Sequence, residues 1–134
     1  MIIRSENGAK EISVGSPNVM LSLYSTIVTR TNYQHLDIDG AIDFLRSGKC
    51  SSAKALIVAR QFNVIRDRLS EVKPEEVVLD YTDPSKRSPL LDDLSPVVTS
   101  CGNIFLTEDG EDLLFEIVSI LTYSYYSKSD VVIE

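Results

Sequence analysis

Apolar positions change their period several times along the chain, and each change marks an element. Met1 to Arg4 and Lys10 to Val14 flank Glu6-Asn7-Gly8. Short β-prone pieces around Asn-Gly predict a hairpin. Ser16-Pro17 then offers an N-cap followed by proline at the first helical position. Met20, Leu23, Tyr24, Ile27 and Thr31 recur at helical spacing. The run Thr26-Ile27-Val28-Thr29 favours strand by propensity, but cap and period agree on a helix over 17–31. Asp39 is placed to cap a short helix, 40–46, which Gly48 ends. Ala55, Val58, Phe62, Ile65 and Leu69 line one face of a longer helix over 52–70, and Pro74 prevents its continuation.

The second half reads differently. Glu76 to Tyr81, EVVLDY, is rich in β-branched and aromatic residues and predicts a strand. Residues 82–96 hold three prolines and no period, which predicts a surface loop. A short extended piece is expected over 103–106. From Asp109 to Tyr126 the period is again helical, with apolar residues around most of the circumference, so this helix is expected to be central. Val131-Val132-Ile133 closes the chain as a last strand. The order predicts an α+β fold: residues 1–134 as a single compact domain, with a small, mostly antiparallel sheet packed against about four helices.

Composition adds one strong asymmetry. The chain has 43% apolar and 25% charged residues and a net charge of −7, ordinary proportions for a globular protein. Residues 1–70 carry nine Lys/Arg against six Asp/Glu, a net +3, whereas residues 71–134 carry four against fourteen, a net −10. Such a half repels nucleic-acid phosphates and anionic membranes and attracts a basic protein. No apolar run approaches the ~20 residues of a membrane span, and no signal peptide is evident. A cytoplasmic location with reduced Cys50 and Cys101 is the expectation.

The acids concentrate after an apolar segment. In SPVVTSCGNIFLTEDGEDLL, residues 95–114, Glu108, Asp109, Glu111 and Asp112 follow one another, with Glu116 one turn on and no Lys or Arg between them. Asp109 as cap with Asp112 at the third helical position accounts for two of the five. The others are left for water, a metal or a basic partner. The spacing does not suit a metal, because a helix offers no closing ligands around it. Asp37-Ile38-Asp39-Gly40 also departs from a calcium loop, with glycine at the fourth position and apolar residues beyond. His35 is the only histidine, so no multi-histidine site exists, and His35 with Cys50 or Cys101 is the only thiol–imidazole pair. No phosphate-binding glycine loop is present, and no cofactor is expected. Tyr123, Tyr125 and Tyr126 suit an interface or the rim of a core. Only Lys128 lies near them, too little for a nucleic-acid platform.

A wider set of residues resembles a known family. It comprises Gly15-Ser16, Ser25-Thr26-Ile27 with Arg30, Gly48-Lys49, Ile65-Arg66-Asp67-Arg68-Leu69, Pro74, Val77-Val78-Leu79-Asp80 and Asp83. It continues through Leu94-Ser95-Pro96, Val98-Thr99-Ser100, Phe105-Leu106-Thr107, Asp109-Gly110-Glu111-Asp112-Leu113 and Ile133-Glu134. In order and spacing this is similar to the immunity protein 70 family of bacterial polymorphic-toxin and contact-dependent inhibition systems. The likeness runs nearly the full length and is strongest from Val77 to Leu114. The family pattern favours tryptophan at the position of Leu79 and another near Leu91, whereas this chain has none and reads Ser88-Pro89-Leu90-Leu91-Asp92-Asp93 there. If that loop recognises the partner, this chain's partner differs from the typical member's.

The resemblance implies a non-catalytic protein that binds and blocks one cognate toxin domain. Toxins that cleave nucleic acid carry basic clefts, so an acidic inhibitor suits a nuclease. The expected contacts are Asp92, Asp93, Glu108, Asp109 and Glu111, with Asp83 next. Two other readings stay open at this point. One is a small enzyme using acids of the 80–112 region, which requires a concave pocket of converging carboxylates. The other is an adaptor protein unrelated to toxins.

Overall fold

The structure, a computed structural model, describes residues 1–134. Its two chain ends meet in one sheet. Ile2–Ser5 (β1) and Glu11–Ser13 (β2) form the expected hairpin, with Ile3 opposite Ile12. Lys49–Cys50 (β3) and Val131–Ile133 (β4) complete an all-antiparallel sheet in the order β2-β1-β4-β3. Alternation sorts its faces. Ile3, Ile12, Val14 and Val131 are buried in the core, while Arg4 pairs on the outer face with Glu134 at 2.6 Å. The two-residue β3 carries no sequence signal of its own and exists because β4 lies beside it.

Four helices share one core with the inner face: Pro17–Arg30 (α1), Asp39–Ser47 (α2), Ser52–Leu69 (α3) and Leu113–Ser127 (α4). This is the α+β class read from the sequence. α3 contributes Ala55, Val58, Phe62, Ile65 and Leu69 to the core, the face its periodicity predicts. α4 contributes Leu113, Leu114, Ile117, Ile120 and Leu121. Phe44 of α2 meets Phe62 edge to face at 6.1 Å. Each of these larger side chains, Val, Leu, Ile or Phe, removed from water stabilises the fold by about 1.5–3 kcal/mol.

Several helix ends are finished by distant residues. Ser16 caps α1 locally, accepting from Asn18 N–H at 3.2 Å. The start of α2 departs from expectation: Asp39 is its first residue, and the cap position, Ile38, offers no side-chain acceptor. Gln61 Oε1 of α3 instead accepts from Ala41 N–H at 2.8 Å. Gly40 permits this, because a Cβ there would lie 2.9 Å from Gln61 Oε1 and 3.0 Å from Val58 Cγ2. α3 is finished the same way, by Asp130 Oδ1 accepting from Ser52 N–H at 2.8 Å.

The strand expected over 76–81 does not form. Pro74–Glu76 is a 3-10 turn, and the segment after it joins no sheet. Its backbone groups bind hydroxyls of α1. Val78 N–H donates to Thr26 Oγ1 at 3.0 Å, Ser22 O–H donates to Val78 C=O at 2.7 Å, and Tyr81 N–H donates to Ser25 Oγ at 2.9 Å. A buried backbone needs partners, and here a helix face of Ser22, Ser25 and Thr26 supplies what a neighbouring strand would have. The β-rich composition of 77–81 therefore reports burial of Val77 and Val78.

Candidate functional site

The start of α4 positions the acidic segment. Thr107 N–H donates to Glu111 C=O at 2.8 Å, Gly110 N–H donates to Thr107 C=O at 3.0 Å, and Glu111 N–H donates to Thr107 Oγ1 at 3.1 Å. Leu106 and Asp112 make one antiparallel bridge across this turn. Gly110 sits at φ 83°, where side-chain-bearing residues are disfavoured. With 106–112 folded back on itself, the helix begins only at Leu113. Asp112 is its cap, accepting from Phe115 N–H at 3.2 Å. The expected cap at Asp109 is thus corrected: Asp109 stands exposed in the turn. Asp112 also holds Arg66 of α3 at 2.9 Å, a cation that arrives from 46 residues away.

The turn lies against β2. Glu108 N–H donates to Ser13 C=O at 2.8 Å, and Ser13 O–H donates to the Glu108 carboxylate. Between the β2 edge and the start of α4 is an open depression of about 390 Å³, lined by Glu11, Ile12, Ser13, Thr107, Asp109, Glu111 and Glu116. Four carboxylates and no Lys or Arg line it, with Glu108 at its rim through Ser13. Glu108, Asp109 and Glu111 are therefore brought together. Glu11 is the residue that sequence reasoning missed. It is nearly a hundred positions away, and only the β2 register places it here.

The other three expected contacts are elsewhere. Asp83, Asp92 and Asp93 are exposed on the 82–96 loop and do not line the depression. Asp83 accepts from Ser85 O–H at 2.8 Å, and Asp92 is paired with Arg87. That loop packs near the start of α1, where Ser88, Pro89 and Leu90 border a smaller cavity with Ser16, Asn18 and Val19.

A larger cleft, about 590 Å³, is lined mainly by apolar residues including Met20, Leu21, Tyr24, Leu45, Tyr81 and Ile133. Arg46 stands at it, donating to Tyr24 Oη at 2.8 Å, and Tyr24 meets Tyr81 edge to face at 5.6 Å. Its one charged side chain is a cation. The two concavities thus differ in charge, the cleft carrying one cation and the depression four carboxylates.

The thiol–imidazole pair has little chemical support. His35 is exposed at the end of the 3-10 turn Tyr33–His35. Cys50 and Cys101 are free and buried. Burial pushes the Cys50 thiol up to about 11 and Cys101 to about 12, the reverse of an activated nucleophile. No three His, Cys, Asp or Glu side chains are arranged to hold a metal ion, and no helix is long and apolar enough to cross a membrane.

The family described as Immunity protein 70 matches residues 6–133. Searches of curated proteins and of solved structures give no match. The matched span includes all four helices, the acidic turn and most of the sheet. The chain belongs to the immunity protein 70 family, and its role in general terms is that of an immunity protein.

Proposed function

We propose that this immunity protein neutralises a cognate toxin domain of a contact-dependent inhibition or polymorphic-toxin system, and that the toxin is a basic nuclease bound through the acidic surface. The observation that carries the reading is the depression walled by Glu11, Asp109, Glu111 and Glu116 with no cation among its lining residues. Glu108, Asp109 and Glu111 are the central contacts. Asp83, Asp92 and Asp93 are secondary contacts on the 82–96 loop, where Lys86 and Arg87, the latter paired with Asp92, reduce the surplus charge.

A nuclease binds polyanions, so its substrate cleft is cationic, and an acidic protein competes for the same electrostatic place. The −10 half of the chain, residues 71–134, speeds the encounter and repels nucleic acid itself. The protein acts by binding, without a cofactor and without catalysis, in the cytoplasm where a nuclease toxin meets its substrate.

The test is coexpression with the toxin domain encoded immediately upstream, scored by rescue of growth and by copurification. Glu108→Lys with Asp109→Lys should slow association by about tenfold or more at low salt and flatten its salt dependence. Unchanged association at low salt would remove the acidic surface from the interface, leaving the immunity role intact. Failure of the wild-type protein to rescue or copurify would remove this toxin as its partner.

A further inference from the structure

The outer edge of β2 is only partly used by the protein itself. In an antiparallel ladder, residues point their backbone groups alternately toward and away from the neighbouring strand. Ser5 N–H bonds Lys10 C=O and Val14 N–H bonds Met1 C=O, so Ile12 also faces β1, while Glu11 and Ser13 face outward. The Glu108 N–H on Ser13 C=O agrees with this alternation. It is the only rung made there. Ser13 N–H and both backbone groups of Glu11 have no partner in the chain.

Exposed strand edges are commonly shielded by a covering segment or by a charge. Here the 107–111 turn covers one rung and then leaves a depression of about 390 Å³ beside the next. The residues that carry the unpaired groups, Glu11 and Ser13, line this space together with Asp109, Glu111 and Glu116. Whatever enters must supply backbone donors and acceptors along one side and positive charge along the other.

We propose that the β2 edge takes an extended, lysine- or arginine-bearing segment of the toxin as an added strand, continuing the sheet into the acidic depression. The proposal rests on the immunity reading above and deepens it by naming the mode of recognition. An added strand lies about 4.8 Å from β2. Its backbone satisfies both groups of Glu11 and the Ser13 N–H, and its alternate side chains reach the carboxylates. Main-chain bonds supply affinity, and the placement of the basic side chains supplies specificity.

Two variants at one position separate the backbone from the charge. Glu11→Ala removes the carboxylate and keeps the N–H, whereas Glu11→Pro removes both. Proline is tolerated at strand edges where its nitrogen faces outward. Binding to the toxin domain encoded upstream should weaken with Glu11→Ala, and by about a further fivefold to tenfold with Glu11→Pro, the loss of one main-chain hydrogen bond. Circular dichroism and melting report whether the proline variant folds. If it does not, amide hydrogen exchange of the wild-type protein decides, because the Glu11 and Ser13 amides should gain protection when the toxin binds. Equal affinities for a folded pair, or exchange unchanged at both amides in a formed complex, would overturn strand addition while leaving the immunity reading standing. No complex with the wild-type protein would overturn both for this toxin.

Discussion

Replacing Thr26 by valine should destabilise the protein although the side chain keeps nearly the same shape. Thr26 is fully buried, and so is Val78, whose N–H donates to the Thr26 hydroxyl at 3.0 Å. The same hydroxyl donates to Ser22 C=O at 2.8 Å. Val78 C=O keeps its bond from Ser22 O–H after the substitution, so the loss reduces to one buried donor with no acceptor. Leaving such a group unsatisfied costs about 1–3 kcal/mol. For a chain of this size that corresponds to a fall in Tm of roughly 4–12 °C. Urea melts with an unchanged m-value, read at the midpoint, measure the loss directly. Thr26→Ser keeps the hydroxyl and removes one methyl, about 0.8 kcal/mol if fully buried, and should be the milder change. A valine variant within ~0.5 kcal/mol of the parent, inside the usual range of a neutral surface change, would refute the claim that α1 hydroxyls hold the 77–81 segment. A serine variant as damaging as valine would refute it equally.

Two further outcomes follow from particular contacts. Asp112→Ala removes the α4 cap and the partner of Arg66, and should cost about 1–2 kcal/mol by chemical denaturation, most of it from the cap. Asp112→Asn keeps a capping oxygen and should recover most of that loss; equal damage from both would assign the effect to the ion pair. The raised Cys50 and Cys101 thiols predict an alkaline weakness. A raised folded-state pKa contributes stability that is complete below the ordinary 9.0 and is lost as pH rises through about 11 and about 12. Melting temperature followed across that range should decline, and Cys101→Ala should flatten the decline; the same slope in both proteins would contradict it.

The local elements were legible where cap, period and terminator agreed. Ser16-Pro17 with Met20, Leu23 and Ile27 placed α1 despite its β-branched run, and the Ala55-to-Leu69 stripe placed α3. The failures share a cause. At 76–81 the sequence showed apolar β-branched residues in need of burial, but the identity of their hydrogen-bonding partners was written on α1, more than fifty positions away. At 109–112 the spacing suited a cap at Asp109, but the Leu106–Asp112 bridge moved the helix start. Asp39 had the right residue type for a cap, yet Gln61 of α3 took the task.

The candidate site divides along the same line. The run of acids from Glu108 to Glu116, the −10 charge of residues 71–134 and the family likeness belong to the sequence alone, because charge and order do not depend on folding. Tertiary structure decided which acids act together. It turned Glu108, Asp109 and Glu111 against β2, added Glu11 and left Asp83, Asp92 and Asp93 on another loop. It also decided that Asp112 faces Arg66 and that the β2 edge keeps three backbone groups unpaired. A linear pattern records what each residue needs. Which distant residue meets that need depends on register and packing, which no local window contains.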